Sequence, residues 1–238
     1  MRKNIFPIIM LLLFSMCLCG CSDNNKRYFD IKESKHISIE QNENTYLNNI
    51  SQAIVGIESV NSLNTNIGSG VCVKSGGYVV TNYHVIYDNN NINLHLYNGS
   101  VCSAIVVYSN PDMDIAIIKA DYPIPYIDMG DSNNLNIGDE VYAVGCPVSL
   151  NFNHTFTKGI VSYIGRDVKV TLVDSDFGRL YGLIQHDASI NSGNSGGPLI
   201  NSSGKVVGIN TLKISNAEGL GFAIPINVIK NIVDNIKV

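Results

Sequence analysis

The chain carries little charge and has no long hydrophobic run beyond residue 21. No apolar stretch after that point approaches the roughly 18–20 residues that cross a bilayer, which excludes a polytopic membrane protein. Lys and Arg number 16 against 20 Asp and Glu. This net charge of −4 argues against nucleic acid as the main partner, because phosphate binding draws on clustered Lys and Arg. The composition, 45% hydrophobic and 15% charged, excludes a disordered chain.

Cysteine pairs of the kind that bind zinc are also missing after the N-terminal region. Cys72, Cys102 and Cys146 are widely spaced, and none lies in a CxxC pair or beside a histidine. We interpret the three as free thiols that act as small buried hydrophobes. We therefore expect no metal, and no cofactor motif is found either.

The N-terminus has the organisation of an export signal. Arg2 and Lys3 form a short positive region, residues 5–18 are mostly apolar, and a small-residue site follows. The four residues that end this N-terminal segment, Leu18-Cys19-Gly20-Cys21, resemble the bacterial lipobox, in which the final Cys is acylated. We expect residues 1–21 to be a lipoprotein-type signal peptide that ends at a lipidated Cys21. An ordinary cleaved signal and an uncleaved anchor are the alternatives.

The remainder divides into a polar segment and a domain. Residues 22–48 are rich in Asn, Lys, Glu and Ser without periodicity, which predicts a flexible tether. From residue 49, short apolar or alternating runs recur every 8–12 residues between Gly, Asn, Asp and Ser, a spacing typical of all-β sandwiches and barrels. About a dozen strands are too many for one small closed barrel. We predict an all-β fold of two six-stranded antiparallel β-barrels, at about residues 49–128 and 129–238.

One helix is predicted, at the C-terminus. Pro225 can occupy the first helical position. After it, apolar residues recur at spacings of three and four, which indicates one buried face. These residues are Ile226, Ile229, Ile232, Val233 and Ile236. We expect the helix to pack on the second barrel.

Three short motifs carry the chemistry. They lie at residues 81–85 (TNYHV), 112–119 (DMDIAIIK) and 191–199 (NSGNSGGPL). The third fits the loose pattern G-x-S-x-G of α/β-hydrolases, but in those enzymes the histidine follows the serine, and here the last histidine is His186. The order found is His84, Asp114, Ser195, with separations of 30 and 81 residues. This is the chain order of chymotrypsin-type proteases.

Together these motifs resemble the HtrA (Deg) branch of the trypsin-like serine proteases. Further segments agree, including residues 68–70 (GSG), 208–211 (GINT) and 221–225 (GFAIP), and the resemblance runs from about residue 54 to residue 232. It implies a two-barrel fold and cleavage of unfolded proteins without ATP or a cofactor. HtrA proteins usually carry PDZ domains after the protease. The printed chain ends 13 residues past Pro225, so we expect the protease domain alone.

The resemblance also implies a role for each motif residue. Ser195 is the expected nucleophile, His84 its general base, and Asp114 the carboxylate that orients the imidazole. Asp112 is a rival acid, and the family pattern favours Asp114 because it directly precedes Ile-Ala. The backbone N–H groups of Gly193 and Ser195 are expected to form the oxyanion hole.

The substrate pocket is expected to be apolar. In this fold the residue six positions before the serine often lies at the base of the S1 pocket, and here it is Ser189, so Arg or Lys at P1 has no counter-charge. Ile190, Ile209 and Asn210 are expected to line the rest. The resemblance implies cleavage after small or medium aliphatic residues. The substrate is expected to add as a strand to the edge at residues 209–212.

Two functions from different classes remain. The main hypothesis is an exported serine endopeptidase for envelope protein quality control, lipid-anchored to a bacterial membrane on its periplasmic or extracellular face. Its partners would be unfolded polypeptides and the membrane, with no nucleic acid, and the resemblance implies a homo-oligomer, a trimer. The alternative is a chaperone-like binder of unfolded chains with a latent protease site. A purely structural envelope lipoprotein fits residues 193–199 poorly.

Overall fold

The computed structural model describes residues 34–37, 43–61, 65–88, 91–146, 149–152, 154–172, 175–213 and 218–236. The predicted signal peptide, the predicted lipidation site Cys21 and most of the predicted tether lie outside these residues. No helix among the described residues has the length and hydropathy needed to cross a membrane.

The described residues form twelve strands in two groups of six. In each group every strand pairs antiparallel with two neighbours until the sheet closes on itself. The first barrel comprises β1 (Ile54–Val60), β2 (Thr65–Lys74), β3 (Tyr78–Thr81), β4 (Asn91–His95), β5 (Val101–Asn110) and β6 (Ile115–Ala120). The second comprises β7 (Glu140–Gly145), β8 (Thr155–Leu172), β9 (Ser175–His186), β10 (Pro198–Asn201), β11 (Val206–Lys213) and β12 (Gly221–Pro225). The predicted fold class is confirmed.

Closure follows the same order in both barrels. In the first, the strand order is β1-β2-β3-β6-β5-β4, and β4 returns to β1 with Leu94 opposite Ile57. In the second, the order is β10-β11-β12-β9-β8-β7, and β7 returns to β10 with Ala143 opposite Leu199. Beyond the closed part of the second barrel, β8 and β9 continue as a two-stranded hairpin, because β7 pairs with β8 only up to Ile160 and β12 pairs with β9 only from Ile184.

Central strands are buried on both faces because the barrels pack against each other. Along β6, Ile115 and Ile117 belong to a cluster that also contains residues of the second barrel, while Ala116 and Ile118 lie in the interior of the first. This explains why residues 115–118 read as one continuous apolar run rather than as an alternating pattern. A third cluster fills the second barrel. The interface between the barrels is therefore part of the hydrophobic core.

The predicted C-terminal helix is confirmed as α3 (Ile226–Asn235). Pro225 is its N-cap and ends β12, so the helix begins one residue later than predicted. Ile226, Ile229 and Val233 are buried in the cluster between the barrels. A second helix, α2 (Tyr83–Ile86), is a single turn that follows β3. It was not predicted, because four residues carry no helical periodicity.

The tether predicted for residues 22–48 is too long at its C-terminal end. A helix, α1 (Glu43–Ile50), precedes the first barrel, and Tyr46 and Ile50 are buried in the cluster between the barrels. Residues 34–37 also lie against the protein, where Ile37 N–H donates to Tyr126 O at 2.9 Å. The helix was missed because only one turn of its sequence is apolar. The folded domain therefore begins at Glu43 or earlier.

The second barrel contains one strand where two were predicted. In the sequence, residues 159–163 and 169–173 form two separate apolar runs, which predict two strands. The structure has one strand, β8, whose residues 155–160 pair with β7 and whose residues 161–172 pair with β9. Register shifts occur at several points, one of them between Ile164 and Arg166, where Gly165 has φ +80°. A β-bulge at glycine lets a strand continue through residues that look like a turn. This explains the missed continuity.

The three described cysteines are free thiols. Burial raises the pKa of Cys72 to about 12 and that of Cys146 to about 11. Cys102 is half-buried, and burial together with the neighbouring Asp121 raises its pKa to about 12. These thiols are therefore protonated at neutral pH and are poor nucleophiles and metal ligands. Within the described residues no group of His, Cys, Asp and Glu is arranged to hold a metal ion.

Candidate active site

His84 reaches the cleft between the barrels because β3 ends directly before it. Asn82 follows β3, and its side-chain amide donates to the Asp114 carbonyl at 2.9 Å. His84 then lies in α2, and its backbone N–H donates to Asp114 Oδ1 at 3.0 Å. Two hydrogen bonds, each between a side chain and the backbone, thus connect the segment that carries His84 to the turn that carries Asp114.

Asp114 is buried, with 4% of its surface exposed. It ends the turn before β6 with φ +53°, a left-handed conformation that Asp tolerates better than most residues. His84 Nδ1 lies 2.9 Å from Oδ2 and 3.0 Å from Oδ1 of the carboxylate. An ionised carboxylate only accepts hydrogen bonds, so the Nδ1 atom carries the proton and the Nε2 atom keeps its lone pair. Asp112, the other candidate for the carboxylate that orients the imidazole, is exposed.

Thr211, on β11 of the second barrel, completes the surroundings of the carboxylate. Its hydroxyl donates to Asp114 Oδ2 at 2.6 Å. Thr211 was not predicted as part of the site, because its partner is 97 positions away. The only signal was its place in residues 208–211, one of the segments that carry the resemblance.

Ser195 lies across the cleft from His84, on the loop between β9 and β10. Its Oγ atom donates to the Thr211 carbonyl at 3.0 Å. Among the described residues, no hydrogen bond joins this hydroxyl to the His84 imidazole. Both residues line one cavity of about 390 Å³, together with Thr65, Asn66, Ile67, Val85, Ser192 and Gly193. The structure therefore brings His84, Asp114 and Ser195 to one cleft, with the hydroxyl turned toward β11.

The loop that carries Ser195 contains two backbone N–H groups without a hydrogen-bond partner among the described residues. Gly193 has φ +97°, a conformation that favours glycine. The N–H groups of Gly193 and Ser195 donate no backbone hydrogen bond within the described part of the chain, whereas Asn194 N–H donates to Asn191 O at 3.0 Å. Gly196 has φ +83°, and a Cβ atom there would collide with Ser69 O and Thr81 Oγ1. Two backbone N–H groups are therefore available to an anion beside Ser195.

A second, smaller cavity of about 80 Å³ adjoins the loop. Its walls are residues 188–191 and residues 218–221. Of the four residues expected to line the substrate pocket, Ser189 and Ile190 line this cavity, whereas Ile209 and Asn210 are fully buried and do not. Ile209 packs in the core between the barrels, and Asn210 Nδ2 donates to Pro198 O at 2.9 Å. Both side chains are therefore held inside the protein, Ile209 by apolar packing and Asn210 by its hydrogen bond.

The edge of β11 is only partly open. Ile209 pairs with Pro198 on one side and with Ile224 on the other. Asn210 N–H donates to Gly197 O and its carbonyl accepts from Gly196 N–H. The edge predicted at residues 209–212 is therefore occupied up to residue 210. Among the described residues, a second strand partner is missing only from Thr211 onward.

Comparisons with known proteins agree with this geometry. The trypsin-like peptidase domain family matches residues 68–209. A probable periplasmic serine endoprotease, DegP-like, of Rickettsia conorii is 40% identical over 179 residues, covering 72% of this chain and 34% of the relative. The serine protease Do-like HtrA of Bacillus subtilis is 39% identical over 176 residues, covering 71% of this chain and 39% of the relative. The chain thus spans little more than a third of the length of these relatives.

A solved structure shares the fold. The HtrA-type protease AlgW with a tripeptide has a TM-score of 0.70 and 31% sequence identity, with 82% of this chain and 64% of that chain covered.

Proposed function

This chain belongs to the trypsin-like peptidase family, with HtrA-type serine proteases among its relatives, and we propose that it is a serine endopeptidase. The observation that carries the proposal is the buried Asp114 carboxylate, which holds His84 by both its backbone and its ring in the cleft that Ser195 lines. A fixed His–Asp pair beside a serine and two free N–H groups can perform acyl transfer.

In the proposed reaction, rotation about χ1 turns the Ser195 hydroxyl from the Thr211 carbonyl to His84 Nε2. The hydroxyl attacks the scissile carbonyl carbon and its proton passes to Nε2. The imidazolium is stabilised by Asp114 and then protonates the leaving amine as the C–N bond breaks. Water attacks the resulting ester, again with His84 as base. The imidazolium then returns the proton to Ser195 Oγ as the acyl C–O bond breaks, which releases the carboxylic acid and restores the enzyme.

The N–H groups of Gly193 and Ser195 are proposed to bind the oxyanion that forms in each half-reaction. Their value lies in being fixed before the charge develops, because fixed donors need no reorganisation at that moment. Loss of one such donor typically costs about 2.7–4 kcal/mol of transition-state stabilisation. Both groups lie on residues that line the 390 Å³ cavity.

For specificity we propose a preference for small or medium aliphatic residues at P1. The 80 Å³ cavity between residues 188–191 and residues 218–221 would hold that side chain. Its small volume favours small side chains, and Ile190 and Leu220 are apolar residues of its walls, which also include the polar Asn191 and the acidic Glu218. Ser189 supplies no charge. The substrate backbone would pair with β11 from Thr211 onward.

We further propose that the protein acts outside the cytoplasm on unfolded polypeptides. The sequence predicts an export signal with lipid attachment at Cys21, and the DegP-like relative is named as periplasmic. Envelope quality control and assembly into trimers are the corresponding expectations for the whole protein.

One observation favours the alternative of a chaperone-like binder with a latent site. The Ser195 hydroxyl is engaged by the Thr211 carbonyl and not by His84. The test is hydrolysis of fluorescein-labelled casein by the protein purified after expression of the full chain, beside a Ser195→Ala variant. We expect hydrolysis by the wild type only. Equal rates for the two proteins would refute the proposed endopeptidase activity and would favour the chaperone-like binder.

A further inference from the structure

Ser69, on β2 of the first barrel, is buried at the point where that strand meets the loop that carries Ser195. No part of its surface is exposed. Its side chain and its backbone together make four hydrogen bonds, and three of them cross to the second barrel. Ser69 is the central residue of the segment 68–70 (GSG), one of those that resemble the HtrA proteases.

The hydroxyl of Ser69 contacts Gly193 and Cys146 of the second barrel. The N–H of Cys146 donates to its Oγ atom at 2.8 Å, so a lone pair of the hydroxyl is occupied from that side. The Oγ atom lies 2.6 Å from the Gly193 carbonyl, which can only accept. The Gly193 carbonyl is therefore an acceptor for the hydroxyl proton at hydrogen-bond distance, and the Cys146 side chain is a second neighbour of the same hydroxyl.

The backbone of Ser69 is fixed in the same way. Its N–H donates to the Ser195 carbonyl at 2.8 Å, and its carbonyl accepts the Thr81 hydroxyl at 2.7 Å. One residue of the first barrel thus holds the carbonyl groups of both Gly193 and Ser195.

These contacts immobilise the peptide planes on either side of the Ser195 N–H. The plane after Gly193 is held at its carbonyl by Ser69 and at its N–H by Asn191 O. The plane after Ser195 is held at its carbonyl by Ser69 and at its N–H by Asn210 O. The N–H groups of Gly193 and Ser195 donate no hydrogen bond within the described part of the chain, and both residues line the cleft.

We propose that Ser69 is a positioning residue that keeps the oxyanion hole formed before substrate arrives. The inference rests on the proposed function, because it assigns a use to the two N–H groups. Gly193 lacks a Cβ atom, so its peptide planes rotate at little steric cost. Without the hydroxyl of Ser69, the Gly193 carbonyl loses its anchor, and the adjoining N–H groups lose their common direction.

The kinetic test compares Ser69→Ala with Ser51→Ala, using a fluorogenic peptide with Val at P1. Ser51 is a matched control, since it is buried and its hydroxyl donates to a backbone carbonyl, Leu47 O, away from the cleft. For Ser69→Ala we expect kcat to fall about 10- to 100-fold with KM within about twofold, as for an interaction made only in the transition state. Ser51→Ala should keep kcat within about twofold. Equal kcat for the two variants would overturn the proposal.

A Ser69→Cys variant guards against a loss that comes only from poor folding. The thiol has nearly the size of the hydroxyl and is a weak donor. We expect the kcat of Ser69→Cys to lie between those of Ser69→Ala and the wild type. The melting temperatures of Ser69→Cys and Ser69→Ala should be equal. A kcat that follows the melting temperature across Ser51→Ala, Ser69→Ala and Ser69→Cys would contradict a positioning role.

Crystal structures of the wild type and of Ser69→Ala decide the question independently of activity. We expect the Gly193 carbonyl to leave its position in the variant and the N–H groups of Gly193 and Ser195 to diverge. An unchanged loop would overturn the proposal, even if the wild type hydrolyses peptides. If the wild type hydrolyses nothing, the proposed function fails, whereas the loop geometry still judges the role of Ser69.

Discussion

Thr211 Oγ1 lies 2.6 Å from Asp114 Oδ2, so a residue of the second barrel holds the carboxylate that orients a histidine of the first. The carbonyl of the same threonine accepts the Ser195 hydroxyl at 3.0 Å. The residue therefore touches both ends of the proposed triad. Docking of the two barrels therefore supplies one of the hydrogen bonds that hold the Asp114 carboxylate.

The contact predicts a specific loss in a Thr211→Val variant. Valine keeps the shape but leaves Oδ2 of a buried carboxylate without one of its donors. A hydrogen bond to a charged group is worth about 1.5–3 kcal/mol, so kcat/KM should fall roughly 10- to 100-fold. Thr211→Ser keeps the hydroxyl and should stay near the wild-type value. Peptide hydrolysis at saturating and limiting substrate measures both, and equal activity of the Val and Ser variants would contradict the role.

The two acidic residues of residues 112–114 should differ sharply. Asp114→Asn retains the shape but can present an N–H to His84 Nδ1, which favours the wrong tautomer. Losses of about 10⁴-fold in kcat follow such a change in triads of this type. Asp112 is exposed, and Asp112→Asn should have wild-type kinetics. A similar loss in both variants would point to a general effect of charge instead.

Stability should depend on pH through His186. This residue is fully buried at the end of β9, and neither ring nitrogen has a hydrogen-bond partner of good geometry among the described residues. Burial lowers its pKa from 6.5 to about 4, against an opposing effect of the Asn210 side chain and of Asp187. The unfolded chain therefore binds more protons between these values. The free energy of unfolding should fall as pH drops from about 6.5 toward 4.

A His186→Leu variant isolates this contribution. Between pH 7.5 and pH 5.0 the wild type should lose about 2 kcal/mol more of its free energy of unfolding than the variant does. The reason is that the His186 side chain, which the variant lacks, binds a proton when the chain unfolds. Guanidinium unfolding at the two pH values measures the difference. Parallel losses in the two proteins would show that other groups control the acid side of the stability curve.

Lys74 should stabilise the docking of α3. Its Nζ atom donates to Val233 O at 3.0 Å and to Ile236 O at 2.6 Å, and so satisfies carbonyls at the end of the helix. A cation is also favoured at the negative end of the helix dipole. Lys74→Met keeps most of the aliphatic stem and should lower the free energy of unfolding by about 1–2 kcal/mol. Lys205→Met, at an exposed lysine, is the control, and an equal effect in both variants would contradict the contact.

The sequence predicted those parts of the molecule that have a local signature. The strands of the two barrels alternate or form short apolar runs, and α3 has a helical period. His84, Asp114 and Ser195 each lie in a short motif beside a strand, so their order along the chain could be read directly.

The parts that escaped prediction depend on contacts between distant residues. Thr211 is 97 positions from Asp114, and Ser69 is 124 positions from Gly193, so no local pattern marks either pair. Ile209 was predicted to line the substrate pocket because it is apolar and near the right strand. Which face of β11 meets the cavity is decided by register, and a shift of one residue reverses it.

The central claim is that His84 activates Ser195, and covalent labelling with a fluorophosphonate tests it most directly. The protein purified after expression of the full chain is treated with the probe beside Ser195→Ala and His84→Ala, and the labelled peptide is mapped by mass spectrometry. We predict that the label lies on Ser195 in the wild type and is lost in both variants. No label on the wild type, or a label on Ser195 that survives His84→Ala, would contradict the account.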